Sequence, residues 1–245
     1  MRTGAIIAGV CLAASAVMAA QAAPPQATVR LNTSDGCRLE AFYQAPSSGS
    51  LVLVNVHGLG SDKNEWAPFQ RALAEAGYGY LSLDLRGHGR SRSCGGRKAE
   101  YTNFTQEDWN KASLDIEAAA AWLKKRGLPP ARQVFCGASV GANLVIKAAA
   151  EGAYKPAAVI MLSPGLEYAG VKSEPYFTAR RLFPALLAAS QQDSYAWYSS
   201  MTLGEEARAK GLRVSLAAAV SGHGVNMFQD PRVIPYVLQW LSAVK

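Results

Sequence analysis

The sequence predicts an α/β protein: a mostly parallel central sheet of about eight strands with helices on both faces. Two patterns carry that expectation. Short, nearly continuous apolar runs, as strands buried on both faces show, alternate with longer stretches whose apolar residues recur at helical spacing. Most of the apolar runs end in loops rich in Gly, Ser, His or Asp, as open parallel sheets require where they carry a site at the carboxyl ends of their strands. With 245 residues, 49% hydrophobic and 18% charged, the chain suffices for one sizeable core. That composition excludes a disordered or coiled-coil protein.

Taken in order, 27–31 and 37–43 flank Asp35-Gly36 and read as an edge β-hairpin. A strand over 51–56 runs into His57-Gly58-Leu59-Gly60, a loop able to turn sharply and present backbone N–H groups. A helix over 64–76 has Trp66, Phe69 and Leu73 on one face and stops at Gly77. The next strand, 80–84, leads into the polar loop Leu85-Arg86-Gly87-His88-Gly89-Arg90-Ser91. Asp84 and Arg86 are expected to tie that loop to its neighbours, and His57 and His88 to be structural. No dinucleotide or phosphate-loop frame surrounds Gly87 and Gly89. A single long helix is expected over 105–126, opened by a Thr105/Asp108 capping box and stopped by Gly127 and Pro129.

A strand opening at Val134 then meets Gly137-Ala138-Ser139-Val140-Gly141, and a helix follows to about Ala150. Strand, G-x-S-x-G, helix is the context in which the motif is a nucleophile elbow. The serine sits on a strained turn, and Gly137 and Gly141 let the two backbones approach because neither brings a Cβ. Strands over 157–162 and 184–189 come next, with 166–183 between them as a candidate short cap. A helical stretch carrying Tyr195, Trp197 and Tyr198, a second short helix from Thr202, and a strand over 214–220 follow. Asp230-Pro231 is read as capping a final helix whose buried face includes Val233, Val237 and Leu241.

The N-terminus has its own signature. Arg2, an apolar run over 5–20 and Ala20-Gln21-Ala22 form the three parts of a secretory signal peptide over 1–22. The remainder, 23–245, is expected to be one domain, exported to a periplasmic or extracellular compartment, with no stable membrane anchor. Export permits a disulfide. Cys37 and Cys94 lie in polar, turn-like surroundings and form the plausible pair, while Cys136 closes an apolar strand as a buried thiol; a chain with no bridge stays open. The formal charge of +7 is spread over scattered Lys and Arg residues, which reads as a solvated cationic surface with no nucleic-acid partner. Three histidines without H-x-x-x-H spacing, and no C-x-x-C, argue against a metal site. No cofactor is implied.

A serine hydroxyl needs a base to take its proton, and imidazole suits that task near neutral pH. A carboxylate must orient the ring and stabilise the imidazolium. Ser139, Asp193 and His223 occur in that order, each after a strand, with His223 between Gly222 and Gly224. The backbone N–H groups of Leu59 and Val140 are the candidate oxyanion donors.

These residues resemble the α/β-hydrolase superfamily, in its serine esterase and lipase-like branch with a short cap. The resemblance spans about 28–245 and rests on the 57–60 and 84–91 loops, the elbow, Gln192-Asp193 and Gly222-His223-Gly224. It implies Ser139 as nucleophile, His223 as base, Asp193 as acid, and the Leu59 and Val140 amides as oxyanion hole. Members that carry the acid after the preceding strand make Glu167 the alternative. It further implies cleavage of small-molecule carboxylic esters through an acyl-enzyme. A peptidase or amidase of the same fold, and a non-catalytic binding protein, are the other readings.

Overall fold

The computed structural model describes residues 26–177 and 183–244. The expected leader, 1–22, lies outside the described residues.

The chain opens with an antiparallel hairpin, β1 (Ala27–Asn32) and β2 (Cys37–Gln44), in which Leu31 faces Leu39. β3 (Val52–Val56) is buried at every position and leads to α1 (Ala67–Glu75) and β4 (Gly79–Leu83). Two short strands, β5 (Ser93–Cys94) and β6 (Arg97–Lys98), precede α2 (Gln106–Lys111) and α3 (Ser113–Lys124). β7 (Gln133–Ala138), α4 (Val140–Glu151) and β8 (Ala158–Leu162) form the next unit. A small hairpin, β9 (Glu167–Tyr168) with β10 (Val171–Lys172), lies outside the main sheet. β11 (Ala185–Ser190), α5 (Ser194–Ala209), β12 (Val214–Ala219) and α6 (Val233–Ser242) complete the described fold.

The main sheet runs in the order β12-β11-β8-β7-β3-β4-β2-β5-β6, with β1 paired to β2. From β12 to β4 every neighbouring pair is parallel. Eight of its ten strands have five residues or more, the same eight the sequence predicts. Alternate residues of the central strands enter two cores. Val54, Phe135, Met161 and Leu187 join α2, α3, α4 and α5 on one face. Leu53, Cys136, Ile160 and Leu186 join α1 and α6 on the other. Period-two projection from strands buried on both sides therefore builds two cores from one set of apolar runs. From β3 the chain passes outward to β4, then returns to the opposite side of β3 as β7. The order reverses there, which puts a crevice at the carboxyl ends of these two strands.

Two helices depart from expectation. The 105–126 helix keeps its capping box, with Thr105 Oγ1 accepting the Asp108 N–H, but it breaks at Ala112. The Ser113 hydroxyl donates to the Asn110 carbonyl, and the Asn110 side chain donates to the carbonyls of Gln106 and Gly170. Such side-chain bonds compete with the helical ladder. Conversely, α5 continues through Thr202 as one helix. Gly204 falls inside it against Leu216 of β12, where close packing outweighs its weak propensity. Asp230 does not cap α6; it accepts the N–H groups of Val220 and Arg232 and pairs with the Arg232 guanidinium.

Cys37 and Cys94 face each other in the β2–β5 register and are joined by a disulfide, and Cys136 is a free buried thiol. The bridge closes a loop with a sequence separation of 57, for which chain entropy gives about 4 kcal/mol. Replacing both cysteines by serine should lower the unfolding free energy by about 2–4 kcal/mol, measured by urea denaturation; an unchanged midpoint with an unchanged slope contradicts it.

Candidate active site

The elbow is built by close approach. A Cβ on Gly137 would lie 2.2 Å from the Gly141 carbonyl oxygen, and a Cβ on Gly141 would lie 2.4 Å from the Val56 carbonyl oxygen. Both distances are prohibitive, so only glycine lets the start of α4 rest on the ends of β7 and β3. Between them Ser139 has φ 56° and ψ −123°, a conformation costly for a residue with a Cβ. Its N–H donates to the Leu162 carbonyl across the sheet, which holds the strained residue in place. Val140 is the first residue of α4, so its N–H is among those with no partner inside the helix.

The 57–60 loop meets this elbow from β3. Gly58 is the contact: a Cβ there would lie 3.4 Å from Ser139 Cβ. His57 is fully buried, donating from Nδ1 to the Gly58 carbonyl at 2.7 Å and accepting the Leu85 N–H at Nε2. His88 approaches the Gly60 N–H at 3.4 Å and stacks on Tyr101 at 4.1 Å. Leu59 itself points outward and is 56% exposed. Asp84 anchors the ground beneath, receiving Lys63 N–H and Nζ and the Arg90 N–H, each at 2.8 Å. Arg86 bridges Asp35 and Asp115. The tying roles expected of Asp84 and Arg86, and the structural roles of His57 and His88, agree with these contacts.

From the other side, His223 and Asp193 come together: Nδ1 and Oδ2 are 2.6 Å apart. Asp193 opens α5, where its second oxygen accepts the Ala196 N–H at 3.4 Å. Helix start and imidazole thus hold one carboxylate from both oxygens. The 222–224 loop is fixed by two serines that sequence reading passed over. Ser190 Oγ donates to the Gly222 carbonyl at 2.8 Å, and Ser163 Oγ accepts the Gly224 N–H at 2.9 Å. Gly224, at φ 57°, packs on Ala138, the residue before Ser139. Ser163 lies at φ 51°, and nothing in its residue type signals that conformation.

The expected cap is a small described element. Across 166–177 the β9–β10 hairpin is held by Asn143 of α4, which donates to the Val171 carbonyl and accepts the Gly165 N–H. Tyr195 of α5 exchanges hydrogen bonds with the N–H and carbonyl of Glu167. The Tyr168 ring stands edge-on to His223 at 6.1 Å, and burial, helped by Asp193, pushes its hydroxyl pKa up. Glu167, the alternative acid, has its backbone tied to Tyr195 and stands on the hairpin, whereas His223 takes Asp193. A further carboxyl unread in the sequence is Glu65, which accepts the Gly58 N–H at 3.1 Å. Among the described residues, no three His, Cys, Asp or Glu side chains converge as a metal-ligand set, and no helix is long and apolar enough to cross a membrane.

Fold and site together define an α/β hydrolase. The chain belongs to the family described as serine aminopeptidase, S33, which matches residues 48–210. It is also 37% identical over 71 residues to a 2-hydroxy-6-oxononadienedioate/2-hydroxy-6-oxononatrienedioate hydrolase of Burkholderia vietnamiensis, covering 27% of this chain and 25% of that protein. The chain spans only a quarter to a third of the length of the curated relatives it matches, 25% and 34%. Among solved structures, the Pyrococcus furiosus esterase Pf2001 superposes with a TM-score of 0.70 at 20% identity, over 89% of this chain and 92% of that one. A Pyrococcus horikoshii acylaminoacyl peptidase gives 0.70 at 16% identity, over 90% of this chain and 42% of that one.

Burial of His57, with His88 adjacent, pushes its pKa down from 6.5 to about 4. The unfolded chain therefore binds a proton at His57 between pH 6.5 and 4 that the native state does not. Stability is complete above pH 6.5 and falls as pH drops through that window, by up to about 3 kcal/mol. Urea midpoints measured from pH 7 to 4 should decline, and His57→Gln should flatten the decline; parallel curves for the two proteins contradict the assignment.

Proposed function

We propose that this protein is an exported serine hydrolase that cleaves carboxylic esters through an acyl-enzyme intermediate. The observation that carries the reading is the 2.6 Å His223–Asp193 pair, borne on a loop that packs against the residue preceding the strained Ser139. With Nδ1 donating to Asp193, the proton-free Nε2 is the nitrogen left to act as base. It takes the Ser139 hydroxyl proton as Oγ attacks the ester carbonyl carbon. Charge passes to the carbonyl oxygen, and the N–H groups of Leu59 and Val140 hold it, with the positive end of α4 behind one of them. Collapse breaks the C–O bond, and His223 returns the proton to the departing alcohol. Water then repeats the sequence on the acyl-enzyme and frees the acid. Asp193 keeps the ring oriented and stabilises the imidazolium at each pass.

Export is supported by the 1–22 leader signature and by the disulfide, since such bonds persist mainly in oxidising compartments. The esterase neighbour supports a small ester substrate through the shared fold alone. Amide cleavage is the second reading, favoured by the family's description as a serine aminopeptidase. Its chemistry uses the same three residues and differs in the leaving group, an amine that must be protonated as it departs.

Ser139→Ala should lower hydrolysis of short p-nitrophenyl esters roughly a thousand-fold or more; equal turnover by that variant removes the assignment. Aminoacyl-naphthylamides assayed beside the esters decide between the two readings. In the same assay Asp193→Asn should lose roughly ten-thousand-fold in kcat, while Glu167→Gln stays within about threefold, and the reverse ranking would make Glu167 the acid.

A further inference from the structure

Glu65, hydrogen-bonded to the 57–60 loop, is a titratable group to which the mechanism above gives no task. It stands on the short turn Lys63–Trp66, directly before α1. Its Oε1 accepts the N–H of Gly58 at 3.1 Å, and the Ser61 side chain bonds the same carboxyl. Gly58 touches Ser139 through its Cα face, and its peptide carbonyl side carries the N–H of Leu59. One side chain therefore holds the loop that carries the proposed oxyanion donor.

We propose that Glu65 is a positioning residue of this site: its carboxylate fixes the His57–Gly58 peptide and, together with the His57 ring on the Gly58 carbonyl, sets the residue from which the Leu59 N–H is presented. The inference rests on the triad reading. The loop needs such an anchor because Leu59 projects into solvent and contributes little packing of its own. From below, His57 holds the Gly58 carbonyl; from the side, Glu65 holds the Gly58 N–H. With both groups of that residue fixed, the orientation of the next N–H is set before substrate arrives, which is the preorganisation an oxyanion donor requires.

The surrounding charges leave this role to Glu65. Lys63, its neighbour on the turn, is consumed by Asp84 and Glu40. Asp62 caps the turn by accepting the Asn64 N–H. His57 and His88, beneath the loop, are held toward the neutral form by burial. Across the site stands His223 with Asp193. Burial and the nearby Asp62 push the Glu65 pKa up, while the Ser61 and Gly58 hydrogen bonds and His223 pull it down.

Two variants separate the hydrogen bond from the charge. Glu65→Gln keeps an oxygen that accepts the Gly58 N–H, so its kcat on p-nitrophenyl esters should stay within about threefold of wild type. Glu65→Ala loses both, so kcat should fall about tenfold or more with KM within about threefold. The amide proton of Gly58, followed by NMR, provides a readout independent of turnover: above the window near pH 4 in which His57 titrates, it should show a titration step in the wild type that is missing in Glu65→Gln. A Glu65→Ala enzyme with wild-type kcat, a Glu65→Gln enzyme as impaired as Glu65→Ala, or a Gly58 amide that titrates identically in wild type and Glu65→Gln overturns the proposal. Wild-type protein without Ser139-dependent turnover instead overturns the triad reading, and the Gly58 titration still decides the contact.

Discussion

A close approach of helix to sheet governs the rest. Gly141 puts the first turn of α4 against the carbonyl oxygens of Val56 and His57, and Gly137 lets the same turn fold back over β7. A single methyl group at either position would separate helix from sheet. Once the contact forms, three consequences follow without further design. Ser139 is forced to positive φ at the apex of the turn. The free N–H of Val140 lies over the end of β3, where the 57–60 loop begins. And the β3–β7 junction, where strand order reverses, becomes the floor of the crevice. The strain at Ser139 is sustained because Leu162, Gly58 and Ala142 fix it from three directions.

Around that floor, polar groups do work that apolar packing cannot. The sheet edge must let loops emerge, and emerging loops carry backbone groups that need partners. Asp84 satisfies Lys63 and Arg90, Arg86 joins Asp35 to Asp115, and His57 satisfies Gly58 and Leu85. Apart from the exposed Asp35, the side chains that make these bonds are buried, and all are paired, so they specify one loop arrangement where an apolar cluster would accept several. On the far side Ser163 and Ser190 do the same for the histidine loop with two neutral hydrogen bonds. The contrast has a physical basis: charges serve where several backbone donors converge, hydroxyls where only one group must be held.

Much of this was legible in the sequence, for reasons that differ by element. The eight principal strands were readable because burial on both faces demands continuous apolar runs, and the elbow because a steric requirement for two glycines leaves a spaced trace. The pairing of Asp193 with His223 was foreseeable because each follows a strand in a sheet whose carboxyl ends converge. The break at Ala112 was not readable, since it depends on an Asn110 contact with Gly170, distant in the chain. Nor was the continuity of α5 through Thr202, where Gly204 packs on β12. Ser163, Ser190 and Glu65 were invisible for a shared reason. Their functions lie in bonds to loops 30 or more residues away or to one backbone N–H, and neither leaves a periodic or compositional mark.

Asp193 illustrates how one residue can be found by a weak signal and explained by a stronger one. Its position after a strand marks it as a candidate, but many carboxylates follow strands. What distinguishes it in the fold is that its two oxygens meet different obligations, Oδ1 at the first turn of α5 and Oδ2 at His223. A carboxylate anchored by a helix start cannot rotate freely, so the imidazole it holds inherits the orientation of the helix. Glu167, on a two-residue strand outside the main sheet, has no comparable side-chain anchor among the described residues. Within the proposed triad, the choice between the two carboxylates turns on rigidity. A group that must keep a ring aligned while charge forms and disappears on it belongs at the end of an element that the core holds still, and α5, packed against β11 and β12, is that element.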